Sequence, residues 1–310
     1  MGGGGGGRYI PASSPSLRAK VDAAREAEAK RLEGDVNGYL QDCLKNYNDR
    51  DAEKIGERLG ELKDIVGDDV DIDSVLFGGS VAKHTYVEGL SDVDALLVLN
   101  RENTVGLSPQ QLLDNLTDII RDKYTGREIE SVDKGNMAVT VAFRDGSEVQ
   151  LLPAVRVGKE VRVPDASGSG WNATNPAAFK DQLTSANKRL DGSLVPTIKL
   201  MKALVSRLPE QQRLTGYHLE SLALDAASGY KGGTSTREVL MHALKHSSER
   251  VKTSLPDATG QSRTVDGYLG AANSTNRRVV SQALASLARR LESARSVGQW
   301  KSMFEGDRNS

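Results

Sequence analysis

The sequence predicts an α+β fold in two lobes: a long first helix, a mixed αβ lobe, and then an all-helical lobe. Three observations carry this. Apolar spacing is helical up to about residue 66, strand-like in short runs around one helix from about 75 to 153, and helical again from about 176. A stretch rich in Gly, Ser, Asn and Pro, PDASGSGWNATNP over 164–176, separates the last two regimes as a linker or crossing loop. The length of 310 residues suits two domains or one two-lobed unit. The organisation read from this is a Gly-rich tail over 1–14, the first helix with the αβ core over 15–165, and a helical lobe over 166–310.

Residues 1–14 contain six successive glycines and read as a flexible tail. Residues 15–47 read as a helix, because Pro15 suits a first turn and SLRAKVDAAREAEAKRL is built of strong helix formers. Its apolar stripe continues through Leu32, Val36, Leu40 and Leu44. A second helix over 50–66 carries Ile55, Leu59, Leu62 and Val66. Val75–Phe77 is a short strand ending at Gly78-Gly79-Ser80, and Val93–Leu99 is the next strand. Ser108-Pro109 opens a helix to about Lys123, with Leu112, Leu116 and Ile120 on one side. Strands over 127–133, 137–143 and 147–153 follow, the last two joined by Asp145-Gly146, a hairpin signal. Helices over 176–190, 192–208, 216–230, 234–248 and 277–296 make the second lobe, with a polar loop over 254–275.

Lys and Arg number 41 against 42 Asp and Glu, a net charge of −1, so stable nucleic-acid binding is not expected. Cys43 is the single cysteine. That excludes an intrachain disulfide framework and a Cys-rich zinc module, and it predicts a reducing, cytoplasmic setting. No apolar run approaches the roughly 18 residues of a bilayer span, so no membrane partner is expected. His242 and His246 have zinc-compatible spacing, but no cysteine or further histidine lies near, and zinc is not expected.

The chemistry concentrates in Gly78-Gly79-Ser80 and Asp92-Val93-Asp94. A Gly-Gly-Ser turn at a strand end offers backbone N–H groups to a phosphate, and the Ser80 hydroxyl adds a donor. Twelve residues later, Asp92 and Asp94 open an apolar strand. Residues i and i+2 of a strand share a face, so two carboxylates project together and can share divalent cations. Mg²⁺, or Mn²⁺ in its place, suits hard oxygen ligands that include substrate phosphates. This is the layout of two-metal in-line displacement on a nucleotide α-phosphate.

With this GS…DxD pair, the chain resembles the polymerase-β-like nucleotidyltransferases over about residues 70–225. Within them it is most similar to the bacterial cyclic-oligonucleotide synthases of anti-phage signalling (CD-NTases of CBASS systems), relatives of cyclic GMP–AMP synthase and oligoadenylate synthase. The long N-terminal helix, the strand ending Leu-Leu-Pro-Ala and the lysine-bearing stretch DGSLVPTIKLMKAL carry that branch. The resemblance implies an α+β polymerase-β-like core with a helical C-terminal lobe. It implies ATP, GTP or other NTPs as substrates, joined into a cyclic oligonucleotide second messenger. A regulatory protein partner and a monomer or weak oligomer go with it.

The family places a third metal-binding Asp three residues before that proline, and this chain has Gln150 there. Glu148 lies two residues earlier on the same strand face and is the expected replacement, giving Asp92, Asp94 and Glu148 as catalytic and metal-binding residues. The other reading is a site that binds nucleotide but turns over slowly or not at all. A third is a template-independent transferase on RNA ends or a small molecule. By resemblance, Gly79, Ser80, Gln150, Lys199 and Lys202 bind nucleotide, the two lysines sharing one helical face toward the β- and γ-phosphates. Tyr217, after Thr215-Gly216, is expected to stack on a base or to pack in the core. Lys83 and Thr85 follow the Gly-Ser turn and by resemblance line the phosphate side.

Overall fold

Strong helix formers give α1 (Pro15–Asn48), and the next amphipathic stretch gives α2 (Ala52–Gly67). The computed structural model describes residues 15–48, 52–69, 72–77, 85, 93–99, 106–124, 128–157, 160–165, 167–259 and 263–305. Strands β1 (Ile72–Phe77) and β2 (Val93–Leu99) precede α3 (Pro109–Lys123). That helix starts on a capping box: Ser108 Oγ accepts from the Gln111 N–H, and Gln111 Oε1 accepts from the Ser108 N–H at 2.8 Å. Then come β3 (Ile129–Lys134), β4 (Val139–Phe143), β5 (Glu148–Val157), β6 (Glu160–Pro164) and β7 (Trp171–Thr174). The second lobe holds α4 (Pro176–Arg189), α5 (Leu194–Val205), α6 (Gly216–Ala227), α7 (Thr236–Arg250), α8 (Thr275–Ser293) and α9 (Val297–Glu305).

The strands form one mixed sheet in the order β1-β2-β5-β4-β3, extended by β6 beside β5 and β7 beside β6. Among the described residues, only β2 and β5 pair in parallel; the other strand pairs are antiparallel. The β4–β5 hairpin turns at Asp145-Gly146, where Gly146 has φ +81°, a conformation that costs a residue with a Cβ. The linker expected over 164–176 instead contributes Pro164 and Trp171–Thr174 to the sheet, on either side of a turn. Pro164 pairs with Trp171 and Val161 with Thr174, so backbone pairing overrides the turn-rich composition. The strand expected to end at Pro153 runs on to Val157, and α9 lies beyond the last helix expected.

Alternation sorts the core. Ala95, Leu97 and Leu99 of β2 and Val149 and Leu151 of β5 pack against Leu59 and Leu62 of α2 and Leu113 and Leu116 of α3. The opposite face of the sheet carries Leu96, Val98, Ala154 and Val163. A separate, larger cluster fills the helical lobe, and α1 belongs to it: Val36, Tyr39 and Leu40 pack with Trp300, Met303 and Phe304 of α9. Ser235, the N-cap of α7, donates to Glu33 Oε1 of α1 at 3.1 Å, fixing the first helix on that lobe. Among the described residues, no helix is long and apolar enough to cross a membrane.

Candidate active site

The parallel pair β2–β5 frames the site. Val93 is in register with Val149, Asp94 with Gln150 and Ala95 with Leu151. Val149 and Leu151 are buried under the helices, so their neighbours Glu148 and Gln150 lie on the opposite face, with Leu152 and Ala154. Glu148 is exposed and Gln150 half-buried. Position 94 therefore meets β5 on the strand that carries Gln150 and Glu148. Gly79, Ser80, Lys83 and Asp92 lie outside the described residues, as does the side chain of Asp94. The side chains of Asp92, Asp94, Glu148 and Gln150 offer oxygen donors, which suit a hard divalent cation. Among the described residues, no cluster of three His, Cys, Asp or Glu side chains makes a separate metal site.

The hairpin that delivers β5 is held by one buried cation. Arg58 of α2 donates to Asp145 Oδ2 at 3.0 Å and to Glu128 Oε2 at 3.3 Å, and it also bonds Ser147 Oγ. Its guanidinium stacks over the Phe143 ring at 4.0 Å. Burial would lower the Arg58 pKa, but Asp145 and Glu128 outweigh it and hold the pKa above its ordinary value. Glu148 begins its strand one residue after Ser147, so this anchor sets where β5 starts.

The two lysines of α5 diverge in setting. Lys199 is half-buried. Lys202 is 6% exposed and pairs with Glu220 of α6, 1% exposed, at 2.9 Å between Nζ and Oε1. The same ammonium donates to the Thr85 carbonyl at 2.9 Å, and the Thr85 hydroxyl donates to Glu220 Oε1 at 2.5 Å. Thr85 is fully buried. Gly216 opens α6 above Lys202, and a Cβ there would lie 3.5 Å from both Cε and Nζ. Lys202 and Thr85, expected toward phosphate, thus meet each other and Glu220 inside the protein. Sequence reasoning missed Glu220, since no local spacing links it to either partner.

Tyr217 is half-buried, its ring 5.1 Å from Phe179 and its hydroxyl donating to Asp257 Oδ1 at 2.6 Å. Burial, then Asp257, raises its pKa. Of the two settings expected, the described contacts are those of a packed tyrosine. Its neighbour His218 is fully buried, with Nδ1 2.9 Å from the Tyr268 hydroxyl and Nε2 3.9 Å from Asp266 Oδ2. Burial is the main cause that lowers the His218 pKa to about 4, with Asp266 opposing and Arg277 assisting. His246 Nε2 bonds Asp225 Oδ2 at 2.6 Å and His242 Nε2 faces the Ala226 carbonyl at 3.0 Å.

A family model described as the Second Messenger Oligonucleotide or Dinucleotide Synthetase domain matches residues 35–187. A probable cyclic nucleotide synthase from Bacillus cereus (strain VD146) is 20% identical over 236 residues, 64% of this chain. The match spans 66% of that relative's own length. The CD-NTase CdnG of Bradyrhizobium diazoefficiens, solved in complex with GTP, superposes with a TM-score of 0.64 at 18% identity, covering 82% of this chain and 89% of that one. E. coli MS115-1 CdnC, in a complex with HORMA-deltaN, superposes with a TM-score of 0.58 at 15% identity, covering 93% of this chain and 92% of that one. The expected fold, a nucleotidyltransferase core with a helical lobe and a long first helix, is thus the one observed.

Proposed function

The chain belongs, through residues 35–187, to the second messenger oligonucleotide or dinucleotide synthetase family, and we propose that it joins nucleoside triphosphates into a cyclic oligonucleotide for anti-phage signalling. The observation that carries this reading is the register of Asp94 with Gln150, with Glu148 two residues earlier on the same face of β5. Asp92, Asp94 and Glu148 would hold Mg²⁺ or Mn²⁺, with the Gln150 amide oxygen as a neutral neighbour. A divalent cation, when bound, acidifies the attacking ribose hydroxyl and offsets charge on the leaving pyrophosphate. Gly79 and Ser80 donate N–H and O–H groups to the triphosphate, and Lys199 supplies a positive charge on that side. Asp94 or Glu148 accepts the hydroxyl proton.

NTP binding is supported by the likeness to CdnG, whose structure contains GTP. A regulatory protein partner is supported by the likeness to CdnC, solved with HORMA-deltaN. A second reading, nucleotide binding with little turnover, rests on Gln150 standing where the family has a carboxylate.

Pyrophosphate release from each of the four NTPs, with Mg²⁺ and with Mn²⁺, tests the reading. Release by the native protein that vanishes in Asp92→Asn/Asp94→Asn supports it. Equal release by both proteins contradicts it.

A further inference from the structure

The contact between Lys202, Glu220 and Thr85 joins three separate parts of the chain. Lys202 comes from α5, Glu220 from α6, and Thr85 from the connection between β1 and β2. In sequence, Thr85 stands five residues after Ser80 and seven before Asp92. Both of its polar handles are engaged: the carbonyl accepts from Lys202, and the hydroxyl donates to Glu220. The two handles are gripped by opposite charges that also bond each other.

A buried ion pair adds little stability compared with apolar side chains of the same volume; its attested use is to specify a register. Here the segment it registers is the one linking the phosphate-binding turn to the metal-binding strand. Resting on the function proposed above, we infer that Lys202 and Glu220 are a positioning pair. Through Thr85 they fix the β1–β2 connection against the helical lobe, so that Ser80 and Asp92 are held for chemistry. Neither residue is a catalytic residue in this account, and Lys202 does not bind the triphosphate.

Glu220→Gln is the informative variant, because it keeps the volume and leaves the Lys202 side chain in place. Thr85→Val removes only the hydroxyl, and Thr85→Ser restores it. Hydrogen–deuterium exchange of the peptide around Thr85 should quicken in Glu220→Gln and Thr85→Val and return toward native in Thr85→Ser. The kcat should fall by about tenfold or more in the first two, as misplacement of reacting groups does. The KM for NTP should stay within about twofold, since no substrate contact is removed. Unchanged exchange overturns the anchor. Faster exchange with native kcat overturns its role in positioning. A lower KM in Glu220→Gln with native kcat would make Lys202 a phosphate ligand released from its partner, and also overturns it. The exchange readout needs no turnover: if the native protein joins no nucleotides, the function reading fails while exchange still decides the anchor.

Discussion

Asp94 and Gln150 stand in register across the parallel strands β2 and β5. An amide there brings an oxygen but no charge, and in the proposed function the carboxylate two residues earlier, Glu148, supplies it. Glu148→Ala should lower kcat on the order of 10²-fold, equivalent to roughly 3 kcal/mol of transition-state stabilisation. Gln150→Asp introduced into that variant should recover a large part of the loss. Steady-state rates of the single and double variants measure this, and additive losses would remove Glu148 from the site.

Arg58 ties α2 to the hairpin ahead of Glu148. Asp145 and Glu128 are 40% and 66% exposed, so the ion pairs themselves contribute little in water. The part-buried hydrogen bond to Ser147 and the stacking on Phe143 contribute more. Arg58→Ala should destabilise the protein by about 2 kcal/mol. Arg58→Met, which keeps the stem packed on Phe143, should cost about half of that. Urea unfolding midpoints check both values.

Much of this fold is legible in the sequence because local chemistry and long-range packing agree. Ser108-Pro109 announces α3, Asp145-Gly146 announces the β4–β5 turn, and the apolar run over 93–99 matches a strand whose residues from Ala95 to Leu99 are all buried. Trp171–Thr174 escapes because its strand is set by pairing to β6, against a composition that favours turns. The site is legible only where residues are close in sequence. Glu148 stands near Gln150, whereas Glu220 lies 135 residues from Thr85 and no periodicity connects them. The spacing of Lys199 and Lys202 puts them near one face, but burial beside Glu220 decides what Lys202 touches.

His218 makes stability pH-dependent. Its folded pKa is about 4, mainly through burial, below an unfolded value of about 6.5. The unfolded chain therefore binds a proton that the folded chain refuses as pH falls through that window. Stability is fully present above pH 6.5 and falls by about 3 kcal/mol on approaching pH 4. Burial would raise the Asp266 pKa, but Arg277 at 2.7 Å wins and keeps it below its ordinary value, so its own loss of stability comes at lower pH. Unfolding free energies between pH 7 and 4.5 should slope downward in the native protein and less so in His218→Gln.

Leu40 of α1 is fully buried in the cluster that holds Trp300 and Phe304. Leu40→Ala should cost about 2–5 kcal/mol, the range for a large-to-small change in a packed core. Thermal or urea unfolding measures it. A cost below about 1 kcal/mol would mean that α1 is not integral to the helical lobe.

The most direct test of the central claim is the mass of the product. The native protein is incubated with all four NTPs and Mg²⁺ or Mn²⁺, treated with phosphatase, and analysed by mass spectrometry beside Asp92→Asn/Asp94→Asn. The account predicts a phosphatase-resistant species with the mass of a cyclic oligonucleotide, made by the native protein alone. Linear, phosphatase-sensitive chains, or the same species from the double variant, would contradict it.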